Sequence, residues 1–287
     1  MDQPAMTLQP SPGTREALPF RMHSETLQLR SVLVERYVTP LREGGSMPAI
    51  VEADDLGTYV LKFRGAGQGV RALMAEIISG GIARALGLPV PEIVLAHLNP
   101  LLARTEPDPE IQDLIRASEG LNVALDYLPG AVNFDPAVDV VSNDFASRLV
   151  WFDTLVSNVD RTARNTNMLM YQRQPWLIDH GASLTFHHAW NGQVADPCKP
   201  FAPSAEHVLL AQATTLAEVD AELAARLTPE VLTAIVAEVP DCFLAQAAGE
   251  HEALRDAHAH RAAYVNYFVA RLQDRGRWLQ GVIDARA

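Results

Sequence analysis

A chain of 287 residues, 48% apolar and 20% charged, can build one large domain or two lobes around a cleft. Its formal charge of -12 and pI near 5.2 exclude an overall basic footprint, so neither nucleic acid nor an anionic membrane is an expected partner. Cys198 and Cys242 provide neither a disulfide framework nor a metal-ligand spacing. No apolar run is long enough to cross a bilayer, and no secretory h-region opens the sequence, which predicts a cytoplasmic protein without a membrane span.

Residues 1–24 are polar and contain proline, and they read as a flexible leader. Residues 31–41 are rich in Val and Tyr and alternate loosely, which predicts a strand. A turn at Gly44-Gly45-Ser46 leads to a second strand over 49–53, and Asp54-Asp55-Leu56-Gly57 leads to a third over 58–63. These three form an expected meander. Gly65, Gly67 and Gly69 then connect to a helix over 70–86, marked by Leu73, Ile77, Ile78, Ile82 and Leu86 at helical spacing and stopped by Gly87. An extended stretch over 89–98, a short helix over 110–117 and an apolar strand between the lobes at 121–128 complete the β-rich half. A helix over 144–156, two short strands at 168–171 and 175–178, and then helices follow. The predicted helices cover 206–212, 216–227, 229–237 and one long final helix at about 250–279.

Chemistry gathers in a few places. Asp160 begins a polar loop that carries Asn165 five residues on and Asn167 beyond it, and Asp179 precedes a glycine after the next strands. An Asp, an Asn and a second Asp so arranged suit a metal-dependent phosphoryl-transfer site, with oxygen ligands for Mg2+. A polar turn satisfying its own backbone is the plainer reading, but it explains four such residues poorly. Lys62 is one of only two lysines against 21 arginines, and its place on an apolar strand lets it bury its stem and hold a phosphate as a point charge. A strand lysine can equally snorkel to solvent. Glu76, among apolar neighbours on the following helix, can orient Lys62 by an ion pair, or it can simply be a solvated helix residue. The Gly44-Gly45-Ser46 turn can lay amides over phosphates. His251, His258 and His260 lack a carboxylate constellation, and no Gly-x-Ser-x-Gly elbow is present.

The stretches Thr58-Tyr59-Val60-Leu61-Lys62-Phe63, Glu76, Asn158-Val159-Asp160-Arg161-Thr162-Ala163-Arg164-Asn165-Thr166-Asn167 and Ile178-Asp179-His180-Gly181 together resemble the kinase domain of HipA-family proteins, relatives of the phosphatidylinositol 3/4-kinases. The likeness runs from about residue 30 to the final helix. It implies an α+β, two-lobed protein-kinase-like fold, with an N-lobe over 25–128, a C-lobe over 129–287 and ATP between them. By the same resemblance Lys62 would bind the α/β-phosphates, Glu76 would pair with it and Asp160 would be the catalytic Asp. Asn165 and Asp179 would hold Mg2+. The hinge that reads adenine would lie at Ala124 to Leu128, with Asp126, Tyr127 and Leu128 in the nucleotide site. The residues before the first strand are expected to be too few to supply the extra N-terminal subdomain of the toxins, and the sequence departs from the family in a phosphate loop reduced to Gly44-Gly45-Ser46 and in His180-Gly181 where many kinases have Phe-Gly. The expected activity is transfer of the ATP γ-phosphate to a protein Ser/Thr hydroxyl, with Ser46 a candidate for autophosphorylation. A small-molecule or lipid kinase, and a pseudokinase that works through a partner protein, are the alternatives.

Overall fold

The computed structural model describes residues 28–41, 47–67, 69–190, 196–249, 251 and 254–286. The leader at 1–24 and the Gly44-Gly45-Ser46 turn lie outside them.

The meander expected at the start is part of a larger object. Strands β1 (Arg30–Pro40), β2 (Ala49–Ala53) and β3 (Thr58–Lys62) join β4 (Ile93–Leu98) and β5 (Gly120–Asp126) in a closed barrel of order β1-β2-β3-β5-β4. All neighbours are antiparallel except β1 and β4, which pair in parallel, Arg30 opposite Val94 through Leu33 opposite His97. Closure leaves no open sheet edge. The strand read as lying between lobes is therefore a central one, with β3 on one side and β4 on the other. Its alternation explains why: Ala124 faces the barrel interior, whereas Val123 and Leu125 face the opposite way into the main core. The interior is filled by Val32, Val34, Val51, Tyr59, Leu61, Val94 and Ala96 and closed by Ile111 and Ile115 of helix α2 (Pro109–Ala117).

Helix α1 (Val70–Ala85) is buried on nearly every side, and its buried residues include Leu73, Met74, Glu76, Ile77 and Ile78. It lies between the barrel wall and the helical half. Gly80 and Gly81 make that fit possible: a Cβ at Gly80 would collide with Ile93 of β4, and one at Gly81 with Ile235 of helix α5 (Pro229–Ala237). The connector before α1 forms the entry to that helix. Asn122 and Ser118 side chains accept the Arg64 and Gly65 N–H groups at 2.8 and 3.1 Å, and Gly69 turns the chain into the helix at φ 65°.

After β5 the chain passes through Tyr127 to Gly130 into β6 (Val132–Asn133), which pairs with β7 (Met168–Tyr171) and through it with β8 (Gln174–Leu177). Helix α3 (Asn143–Leu155) lies in the main core with Leu149, Trp151, Phe152 and Leu155. Helices α4 (Leu216–Arg226), α5, α6 (Asp241–Ala248), α7 (Ala257–Gln273) and α8 (Arg275–Arg286) complete the molecule. The stretch 206–212, expected as a helix, is instead two short 3-10 turns at Ala202–Glu206 and Leu210–Gln212. The single long final helix is also two, broken at Asp274. Trp278, fully buried, meets Trp151 edge-on at 5.4 Å, and Arg275 reaches Asp220 of α4 at 2.8 Å. Gly276 weakens the helix locally, and those tertiary contacts hold the residues beyond the break. Among the described residues no single helix is long and apolar enough to cross a membrane.

Candidate active site

Strand alternation puts Tyr59 and Leu61 into the barrel and turns Lys62 the other way, toward α1. There the Lys62 Nζ donates to Glu76 Oε2 at 2.6 Å and to Asp179 Oδ1 at 2.7 Å. Three residues distant in sequence thus meet at one ammonium. Glu76 is completely buried, and Lys62 is nearly so, with a side-chain exposure of 13%. Burial alone would push Lys62 down. The Glu76 and Asp179 carboxylates outweigh it and hold the ammonium above its ordinary value. Burial likewise pushes Glu76 up, but the Lys62 charge and the His180 hydrogen bond hold it well below the carboxylate range.

His180 is the residue whose role the sequence did not reveal. Its backbone N–H donates to Glu76 Oε2 at 2.9 Å, and its Nδ1 lies 3.1 Å from Glu76 Oε1, so Nδ1 is the protonated nitrogen. The ring is fully buried and edge-on to Phe152 at 5.8 Å. Its carbonyl accepts the Ser183 hydroxyl at 2.6 Å. Histidine in place of phenylalanine before Gly181 therefore adds a donor that fixes the carboxylate which in turn fixes Lys62. The sequence signal was that departure itself.

Asp179 sits in left-handed backbone at φ 55°, a costly conformation for a non-glycine residue and one that concentrates at functional sites. Its side chain is 44% exposed, and Oδ1 alone is taken by Lys62. Ile178, just before it, donates its N–H to Asn167 O at 3.1 Å, which ties the end of β8 to the Asp160 loop.

In that loop the Asn165 and Asn167 amides both donate to Asp160 Oδ2, at 2.8 and 3.1 Å. Among the described residues Asp160 Oδ1 takes no hydrogen bond, and the amide orientation leaves the Asn165 carbonyl oxygen available. Asn167 is in left-handed backbone at φ 46° and nearly buried, so it fastens the loop and holds the Asp160 carboxylate as well. Beneath the loop lies a buried ion pair that the sequence did not disclose. Arg161 Nε donates to Asp153 Oδ2 at 2.6 Å, with both side chains buried. Asp153 looked like one position of an apolar-period helix, and only its long-range partners reveal its purpose. Burial pushes the Asp153 carboxyl up, but Arg161 and hydrogen bonds from His207 and Asn158 hold it well below its ordinary value.

The residues expected to form the hinge lie at the end of β5 and just after it. The Asp126 and Tyr127 N–H groups are committed to Glu92 O at 2.8 Å and Thr58 O at 2.9 Å. Leu128 is the next amide, and it donates to no acceptor among the described residues. The predicted set thus divides into Lys62, Glu76 and Asp179 in mutual contact, Asp160, Asn165 and Asn167 in mutual contact, and Asp126, Tyr127 and Leu128 on the segment leaving β5. Gly44, Gly45 and Ser46 are outside the described residues. The remaining histidine pair, His187 and His188, is occupied elsewhere. His187 Nδ1 is 2.9 Å from the Tyr264 hydroxyl in an aromatic cluster.

Because the folded-state pKa values of Glu76 and Asp153 are depressed, both contribute stability above the ordinary carboxylate value of about 4. That contribution disappears as pH falls toward their folded values of about 2. Thermal denaturation in pH steps is therefore expected to show a steep loss of stability between those limits, and Glu76→Gln is expected to flatten it. An equally steep loss in Glu76→Gln would assign the slope elsewhere.

No curated protein matches this chain. Among solved structures it is similar to the Helicobacter pylori proinflammatory kinase CtkA at 12% identity, covering 90% of this chain and 97% of that one with a TM-score of 0.48. It is also similar to the Golgi casein kinase with Mn/ADP bound, at 12% identity, with coverage of 86% and 73% and a TM-score of 0.44. The sequence pattern of the HipA-like kinases matches residues 34–267. With that span covering most of the barrel, the Lys62 pair and the Asp160 loop, the chain belongs to the HipA-like kinase family and is a phosphotransferase.

Proposed function

We propose that the protein transfers the γ-phosphate of ATP, with a divalent cation such as Mg2+, to a Ser or Thr hydroxyl of a protein. The observation that carries this reading is the buried Lys62 ammonium held at 2.6 and 2.7 Å by Glu76 and Asp179. Such a fixed positive charge has a use where phosphate charge must be received, and keeping it there against desolvation takes both carboxylates. The acceptor class rests on the family, and a net charge of -12 disfavours an anionic lipid headgroup.

The residues divide the work. Lys62 supplies a fixed cation for the phosphates, and Glu76 with His180 keeps it aimed. Asp160 offers Oδ1 to the acceptor hydroxyl, orients it and takes its proton as the oxygen attacks. The Leu128 amide is free to donate to the edge of a base. The free Asp179 oxygen and the Asn165 carbonyl oxygen are hard donors of the kind Mg2+ takes, so the residues present fit such an ion. When bound, that ion supplies neutralisation of charge across the phosphate oxygens.

If Asp179 is a cation ligand, Asp179→Ala is expected to weaken ATP binding in Mg2+ by about tenfold or more and to remove most of the difference between binding with and without Mg2+. Calorimetric titration of ATP with and without Mg2+ measures both. An unaltered Mg2+ dependence would refute the ligand role.

A further inference from the structure

Asp153 lies beneath the catalytic loop, is 2% exposed and spends both carboxylate oxygens on neighbours. Oδ1 accepts the Asn158 amide at 2.8 Å, and Asn158 Oδ1 accepts the Asp160 N–H at 3.1 Å. Oδ2 accepts Arg161 Nε at 2.6 Å. The Arg161 guanidinium continues to the carbonyl oxygens of Asn167 and, at 3.3 Å, Thr166. Asn167 returns to the start, since its amide holds Asp160 Oδ2 at 3.1 Å. The contacts close a ring: Asp153, Asn158, Asp160, Asn167, Arg161 and back to Asp153. One arm fixes the Asp160 backbone, and the other fixes its carboxylate.

A third arm comes from elsewhere in the chain. His207 Nε2 is 2.9 Å from Asp153 Oδ2, and His207 Nδ1 accepts the Leu209 N–H at 3.0 Å. The neutral imidazole with its proton on Nε2 satisfies both bonds. His207 also bridges Thr162, and Val208 donates to Arg161 O at 3.1 Å. The segment around His207 is thereby stitched to the residues just after Asp160.

We propose that Asp153 is the positioning residue of the catalytic loop, acting on Asp160 through Asn158 and Arg161, and that His207 couples the 202–209 segment to the same carboxylate. The inference rests on the phosphotransfer reading above for its rate effects, but not for its structural ones. Hydrogen-bonded chains in a buried site polarise and rigidify one another, and a carboxylate displaced by about 1 Å can lose about a hundredfold in rate. A buried carboxylate with three donors is also costly to assemble for packing alone, since an apolar replacement would pack as well.

Asp153→Asn would strand the Arg161 guanidinium, one of whose terminal nitrogens already lacks a partner, so the test uses the arms instead. Asn158→Ala is expected to lower kcat by about tenfold or more while the KM for ATP stays within about twofold. His207→Ala is expected to lose kcat by a similar factor. His207→Gln, whose amide N–H can replace the imidazole N–H, is expected to regain most of it. Hydrogen exchange at the Asp160 amide is expected to be faster in both alanine variants, measured well below their melting temperatures. Wild-type kcat in Asn158→Ala and His207→Ala, with a lowered Tm alone, would overturn the proposal. Glutamine no better than alanine at position 207 would overturn the coupling. If the wild type turns over no ATP, the phosphotransfer reading fails; exchange then decides the ring, acceleration over 160–167 supporting it and no change overturning it.

Discussion

Asp160→Asn is expected to lower phosphoryl transfer by about a hundredfold to ten-thousandfold while ATP affinity changes little. The substitution keeps the shape of the side chain. An asparagine oxygen can still accept the Asn165 and Asn167 amides that now meet Oδ2 at 2.8 and 3.1 Å. What it removes is the negative charge and basicity at Oδ1, the oxygen left for an acceptor hydroxyl. Lys62, Glu76 and Asp179, which share no hydrogen bond with Asp160, keep their geometry, so the nucleotide side is expected to survive. Turnover measured beside calorimetric ATP binding separates the two effects. A variant with wild-type turnover would remove Asp160 from the chemistry.

Glu76→Ala is expected to cost stability rather than only rate, by about 3–5 kcal/mol. Glu76 is completely buried and receives three donors: the Lys62 ammonium, the His180 N–H and His180 Nδ1. Its removal leaves the two His180 donors buried without an acceptor and Lys62 with Asp179 alone. Desolvated donors and a half-paired buried cation are among the few causes of so large a loss. At about 2–4 °C per kcal/mol for a chain of this size, the melting temperature should fall by roughly 6–20 °C. Glu76→Gln keeps an acceptor oxygen and is expected to lose less. A melting temperature within about 2 °C of wild type in Glu76→Ala would mean that water reaches the site and that Lys62 does not depend on this partner.

Much of the architecture could be read from the chain because it is written in local periods. Lys62 on an alternating strand, Glu76 on the helix after it and Asp179 between a strand and a glycine are each placed by short-range pattern, and the fold brings them together. The barrel was not legible. Its closure depends on β1 pairing in parallel with β4, across more than fifty residues, and nothing in either strand names its partner. The break at Asp274 falls beside Gly276, a poor helix former, but the contacts that hold the far side, Trp278 with Trp151 and Arg275 with Asp220, are long-range and leave no local mark.

The site divides along the same line. Residues that display their chemistry in a motif were visible, whereas those acting through other side chains were not. Asp153 reads as an ordinary helix residue until His207, 54 positions away, is found on its carboxylate. His180 was noticed only as a departure from Phe-Gly. Its two bonds to Glu76 join residues 104 positions apart, and no periodicity records them.

The central claim is transfer of a phosphoryl group from ATP to a protein hydroxyl by the Asp160 loop. Its most direct test is incubation of γ-labelled ATP and Mg2+ with a lysate of the source cell, using wild type and Asp160→Asn in parallel and locating the label by mass spectrometry. Label on Ser or Thr of a discrete protein with wild type, and none with Asp160→Asn, is the predicted result. Equal labelling by both proteins, or label appearing only on a small molecule or lipid, would contradict it.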